Sequence, residues 1–210
     1  LILSTKKMAS LKEIRARITS VGSTQKITSA MKMVAAAKLR KAQNFVSKIV
    51  PYKNKMSEVL AVLSESLAES DDNIYTKRRD VQNLLVIAVS SNKGLCGGFN
   101  SNVYKYCAQL QEREKAANPK VNIQFYAIGR KISELLQKSG FSVFKSNIEA
   151  VDSVDFQKSA QIAQEAASLF VDGKFDSVRL VFNEFVNPAV QNVGESAFLP
   201  LSIEQSKSKF

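Results

Sequence analysis

The sequence predicts an α/β protein in two parts: a long N-terminal coiled-coil helix, then an α/β domain with a mainly parallel sheet. Three observations carry this. Apolar residues recur every three and four positions from Leu11 to Leu67 with almost no turn residues. From Leu84 onward, short apolar runs alternate with helical patterns, as in a parallel sheet with crossover helices. Charge divides at the same place: residues 1–55 hold 13 Lys/Arg and one acid, Glu13, while residues 56–210 hold 17 against 18.

The helix comes first. Ser10 is placed as its N-cap, with Glu13 completing a capping box three residues later. Alternate steps of three and four from Leu11 give seventeen seam positions through Leu67, thirteen of them apolar. A period of 3.5 over that length predicts a supercoiled helix clasped by a partner helix. At 1.5 Å per residue the rod is about 85 Å long. Pro51 lies off the seam and removes one backbone hydrogen bond, so a kink is expected there. The seam fails at Gln25, Thr28 and Lys32, where Ile27, Met31 and Val34 form an apolar stripe on a neighbouring face. Two readings stay open: a coiled-coil stutter, or a surface turned toward other partners.

Excess positive charge on such a rod points to an acidic partner. A nucleic-acid reading is disfavoured because the basic residues are spread through the heptads, with no dense Arg cluster ahead of a clean leucine seam. A membrane-surface helix fits poorly, since no aromatic residue precedes Phe45. No stretch has the length and apolarity of a membrane span. With no His and only Cys96 and Cys107, neither an ordinary four-ligand metal site nor the commonest general base is provided. A reducing compartment is expected, and Met8-Ala9-Ser10 reads as a natural start, with residues 1–7 upstream of it.

After the acidic stretch Glu69–Asn73, Leu84–Ser90 reads as a strand buried on both faces. A turn over Ser91–Gly98 leads to a helix from Asn100 to Ala117, stopped by Asn118-Pro119. Val121–Ile128 is a strand, Gly129 leads into a helix over Arg130–Ser139, and Val143–Ser146 is a short third strand. A helix from Asp155 to Val171 ends at Gly173. Ser177–Val186 is strand-like, followed by two weaker strands, Val190–Gly194 and Ser196–Leu201, joined near Gly194. The α/β domain is set at residues 71–202 and is Rossmann-like, after a helix at 1–70 and before a tail at 203–210.

Gly94, Gly97 and Gly98 follow the first strand, where a dinucleotide would be sought. Their spacing is not Gly-x-Gly-x-x-Gly, and no acid stands about twenty residues on at the end of a second strand. They are read as a tight structural turn, and Cys96 as a small buried filler. A small α/β nucleotide-binding enzyme with a basic helical extension is the alternative reading.

Two stretches carry a family resemblance. Ser-Thr-Gln-Lys-Ile-Thr-Ser-Ala-Met-Lys-Met-Val-Ala-Ala-Ala-Lys, from Ser23 to Lys38, resembles the N-terminal signature of the gamma subunit of F-type ATP synthases. Val-Ser-Ser-Asn-Lys-Gly-Leu-Cys-Gly-Gly-Phe-Asn, from Val89 to Asn100, resembles the second signature of that family, and Leu11–Arg17 and Pro51-Tyr52 agree with it. The resemblance implies a non-catalytic rotor shaft that turns inside a ring of alpha and beta subunits. It also implies contact with epsilon and the c-ring at the membrane, no bound cofactor or nucleic acid, and membrane contact only through the complex. A peripheral location on the cytoplasmic side of a bacterial inner membrane follows from it.

On that resemblance Met31 and Lys32 are the main candidate contacts with the ring, with Lys26, Lys38, Arg40 and Lys41 as further basic contacts and Lys93 as a catch on beta. The family more often has Arg at the position of Lys93, and an ammonium cannot make the bidentate carboxylate contact of a guanidinium. Exposed charges are screened beyond about 8 Å at physiological salt, which suits a part that slides past similar partners. One departure stands out: the family's second shaft helix follows the α/β domain, whereas Ser202–Phe210 is a polar tail. The expectation is a fragment, with a helix supplied in trans as the alternative, that does not support rotary coupling by itself.

Overall fold

The computed structural model describes residues 10–67, 74–152, 155–187 and 190–201, with side chains in the first segment as far as Leu60. The expected start at Met8, the acidic stretch Glu69–Asn73, the seam side chains of Leu63 and Leu67, and the tail at 203–210 lie outside these residues. The chain divides into two compact units, one up to Glu58 and one from Val59.

The first unit is helical. Helix α1 spans Leu11–Leu67 as one element and stays helical on both sides of Pro51. Its start is a capping box: the Ser10 N–H donates to Glu13 Oε2 at 3.1 Å, and Ser10 Oγ accepts from the Lys12 N–H at 3.3 Å. Two of the orphan donors of the first turn are thus satisfied by side chains.

The second unit has a five-stranded sheet in the order β3-β2-β1-β4-β5, with β1 at Asn83–Val89, β2 at Asn122–Ile128, β3 at Val143–Asn147, β4 at Ser177–Asn187 and β5 at Val190–Leu199. The β1–β2, β2–β3 and β1–β4 pairs are parallel, and only β4–β5 is antiparallel. Helices α2 (Phe99–Ala117), α3 (Arg130–Lys138) and α4 (Phe156–Val171) provide the connections. Strand β1 is central because side chains on both its faces are apolar. Leu84, Val86 and Ala88 pack with Val103, Cys107 and Leu110 of α2 and Ile132 and Leu136 of α3. Leu85 and Ile87 face the other way, toward Ala166, Leu169 and Phe170 of α4. Each face of the sheet therefore closes over its own core, the arrangement parallel sheets require.

Helix α4 starts at Asp155, whose carboxylate accepts from the Gln157 N–H at 2.9 Å, and its C-terminal carbonyl at Phe170 accepts from Arg79 Nη1 at 2.9 Å. The two weak strands expected around Gly194 are one strand. Gly194 lies opposite Phe182, within an unbroken stretch of pairing from Arg179 to Phe185. A glycine signals a turn only where no neighbouring strand supplies a partner; here the eleven residues of β4 do.

An ion-pair network locks β5 and α2 to β4. Arg179 Nη1 reaches Glu114 Oε1 and Glu195 Oε1, both at 2.8 Å, and Arg113 Nη2 reaches Glu195 Oε2 at 2.7 Å. Burial by itself would push the Glu195 carboxyl up, but hydrogen bonding to Arg113 and the charge of Arg179 outweigh it and hold it below its ordinary value. A depressed carboxyl contributes stability that is complete above the ordinary glutamate range and lost as pH falls through the depressed value. Arg179→Met removes the guanidinium that joins Glu114 to Glu195, leaving both to Arg113 alone, and is expected to destabilise the unit by about 2 kcal/mol near neutrality. It also flattens the loss of stability on acidification, which urea midpoints followed by the tyrosine near-ultraviolet signal between pH 7 and 3.5 would show. Gly129 sits at φ +106°, where a Cβ would lie 2.5 Å from the Ser90 carbonyl oxygen. Gly129→Ala is therefore expected to cost about 2–4 kcal/mol by the same measurement.

Candidate functional surfaces on the helix and the loop after β1

On α1 the described seam side chains are open, with Leu11 76%, Ile18 66% and Leu39 40% exposed. Met31 is 67% exposed, and Lys26, Lys32, Lys38, Arg40 and Lys41 are exposed as well. At about 100° per residue these six do not share a face. Lys38 follows Met31 on one side, Arg40 lies near the line of Lys26, and Lys32 and Lys41 are on opposite sides. The helix carries its candidate contacts around its circumference.

The polar break in the seam changes character in the structure. Thr28 Oγ1 donates to the Thr24 carbonyl at 2.8 Å, and Thr24 Oγ1 to the Ser20 carbonyl at 2.9 Å. Each hydroxyl is spent on the helix's own backbone, which leaves a methyl group for contact. Thr28 is less of an interruption than its residue type suggests.

In the α/β unit, Lys93 sits on the loop between β1 and α2, at the carboxyl end of the parallel strands. Lys93, Gly94, Leu95, Cys96, Gly97 and Gly98 are all exposed. Of the three turn glycines only Gly97 is left-handed, at φ +60°; Leu95 shares that region at φ +59° with its side chain fully in solvent. A bulky residue there is a strained exception that the surroundings must enforce.

Cys96 is exposed, which corrects the expectation of a buried filler. The loop turns back over Asn100, not over Cys96: Asn100 is 8% exposed, and its amide Nδ2 sits 3.1 Å from the Cys96 sulfur. Cys107 is the buried thiol, and burial pushes it up to about 12.

The glycine turn leads into α2, whose N-cap Gly98 makes no side-chain cap hydrogen bond; beside it at the carboxyl end of the sheet, the first four amides of α3 all have partners. The Arg130 N–H donates to Asn92 Oδ1 at 2.8 Å, the Lys131 N–H to the Ser91 carbonyl at 3.1 Å, the Ile132 N–H to Ser90 Oγ at 3.0 Å, and the Ser133 N–H to the Gly129 carbonyl at 3.3 Å. An anion would have to displace partners already in place.

Comparison with known proteins follows the same line. A family model described as ATP synthase matches residues 10–209. The ATP synthase gamma chain of Christiangramia forsetii is 43% identical over 202 residues, covering 96% of this chain and 68% of that one. This chain belongs to the ATP synthase gamma family. The gamma chain of Flavobacterium psychrophilum is also 43% identical, over 93% of this chain and 66% of its own length. The chain thus spans about two thirds of the length of the curated relatives it matches. In fold it is similar to a chain from the central stalk and c-ring structure of the Tetrahymena thermophila mitochondrial ATP synthase, with a TM-score of 0.52 at 24% identity, covering 83% of this chain and 72% of that one. Gamma chains are non-catalytic subunits, and no group of three or more His, Cys, Asp or Glu able to hold a metal occurs among the described residues.

Sequence reasoning missed Asn92 and Asn100. Both lie inside the second family signature, but nothing in their spacing distinguishes a side chain that holds a loop from one that faces water. The different settings of the two thiols predict a labelling result. One equivalent of a water-soluble maleimide should react quickly with the folded chain at pH 7 and the second only on unfolding, and Cys96→Ser should abolish the fast phase.

Proposed function

We propose that this chain forms part of the non-catalytic central-stalk rotor of an F-type ATP synthase, the rotor that couples ion-driven rotation of the c-ring to ATP synthesis by the alpha and beta subunits. The observation that carries the reading is α1: a continuous 57-residue helix whose apolar and basic side chains are open on every side, in a chain of the gamma family. A shaft held in a ring must be contacted from all directions and must not bind tightly at one angle. Side chains spread around the rod, with no single basic face, support this.

In this reading Met31 and Lys32 meet the ring where the seam breaks, with Lys26, Lys38, Arg40 and Lys41 facing acidic loops of beta. Lys93 is a further contact on beta from the α/β unit, softer than an arginine would be. Epsilon and the c-ring are the partners at the membrane. No described helix is long and apolar enough to cross a membrane, so the contact proposed is peripheral, on the cytoplasmic side of the inner membrane, as befits a chain whose relatives are bacterial.

Mixing the chain with an alpha–beta ring from a related bacterium is expected to give a complex with one copy per ring by native mass spectrometry. Affinity should fall only modestly between 50 and 300 mM salt, since apolar contacts share the interface. Absence of a stoichiometric complex would overturn the proposal, as would retention of ATP or NAD by the isolated chain in equilibrium dialysis.

A further inference from the structure

We infer that Asn100, assisted by Asn92, is a positioning residue that holds the loop after β1 in the one shape that presents Lys93 outward. The inference rests on the reading of Lys93 as a contact with the ring, and deepens it.

The Asn100 carboxamide uses both its ends. Its Oδ1 accepts from the Ser91 N–H at 3.1 Å, with Ser91 Oγ 3.0 Å away. Its Nδ2 donates to the Lys93 carbonyl at 3.1 Å and lies against the Cys96 sulfur. The Lys93 carbonyl also accepts from Ser91 Oγ at 2.7 Å, so two donors draw the backbone of Lys93 toward the protein while its side chain stays exposed. Asn100 is itself tied down, because Asn183 Nδ2 holds the adjoining Phe99 carbonyl at 2.9 Å.

Asn92 grips the other side. Its Oδ1 caps α3 at Arg130, and its Nδ2 reaches the Ile148 carbonyl at 2.9 Å and Asp152 Oδ1 at 2.7 Å. A loop with an apolar residue fully in solvent and two residues in the left-handed region would otherwise relax into many shapes. Ordering it beforehand spares the entropy of ordering it on each encounter. For a contact made and broken repeatedly, that saving recurs at every encounter.

The test has two arms. Hydrogen exchange in the full chain reads the loop directly. The Phe99 N–H donates to the Cys96 carbonyl at 3.3 Å, inside the turn that Asn100 Nδ2 holds, so Asn100→Ala should speed exchange at Ser91 and Phe99 at least tenfold while the amides of β1 stay protected. Asn100→Asp keeps the acceptor but loses both donations, so it should leave Ser91 protected and speed Phe99; this variant decides the matter if Asn100→Ala does not fold. Unchanged exchange at both amides in Asn100→Asp would overturn the clamp.

The second arm is a double-mutant cycle on affinity for the alpha–beta ring. Lys93→Ala should weaken binding about fivefold in the native chain and less than twofold in the Asn100→Asp background. Independent effects would refute positioning. A Lys93→Ala chain that binds like the native one removes the ring contact, and with it the purpose of the clamp, whereas the exchange arm alone reports whether the clamp exists.

Discussion

A single α-helix cannot bury its own side chains. Helix α1 carries an apolar seam along its length, and each exposed Leu or Ile side chain forgoes about 1.5–3 kcal/mol of burial. Intrinsic propensity adds little to a helix this long compared with the packing of its face. Its surface is therefore a demand for partners, and the family to which the chain belongs supplies the proposal for what they are. The same constraint explains why the two units differ so much in character. The α/β unit closes both its cores internally, and α1 cannot.

The self-sufficiency of the α/β unit has a visible cause at its edges. The Leu201 N–H donates to the Tyr75 carbonyl at 2.8 Å. Asp176 Oδ2 accepts from the N–H groups of Gln82 and Asn83, so the start of β1 is held by the turn before β4. Together with Arg79 on the end of α4, these bonds satisfy backbone groups that a parallel sheet would leave open at its amino end. At the carboxyl end of the sheet, where the Lys93 loop lies, side chains make the corresponding bonds: Ser90 Oγ and Asn92 Oδ1 cap α3, and Asn100 Oδ1 accepts from the Ser91 N–H.

Much of the architecture was legible in the sequence because it rests on periodicity. The 3.5-residue spacing located α1, the continuous apolar run located β1, and Asp155 and Gly173 bracketed α4 to within two residues. The failures share a physical origin. Gly194 was taken for a corner because glycine breaks strands on its own, but pairing with Phe182 overrides that local preference. Cys96 was expected inside because thiols usually are, yet the side chain that fills the turn is the neighbouring Asn100. Thr28 counted as polar although its hydroxyl is consumed within the helix.

The sequence by itself determined which segments are helix or strand, which faces are apolar, and where the positive charge resides, since these follow from local spacing and composition. It also displayed both family signatures. Only the tertiary structure decided the antiparallel placement of β5, the arginine–glutamate network that secures it, and the clamp of Asn100 and Asn92 around Lys93. Those features join residues far apart along the chain: Asn92 meets Asp152, and Arg179 meets Glu114. A polar side chain has no periodic pattern announcing its partner, so its role exists only once the fold has brought the two together.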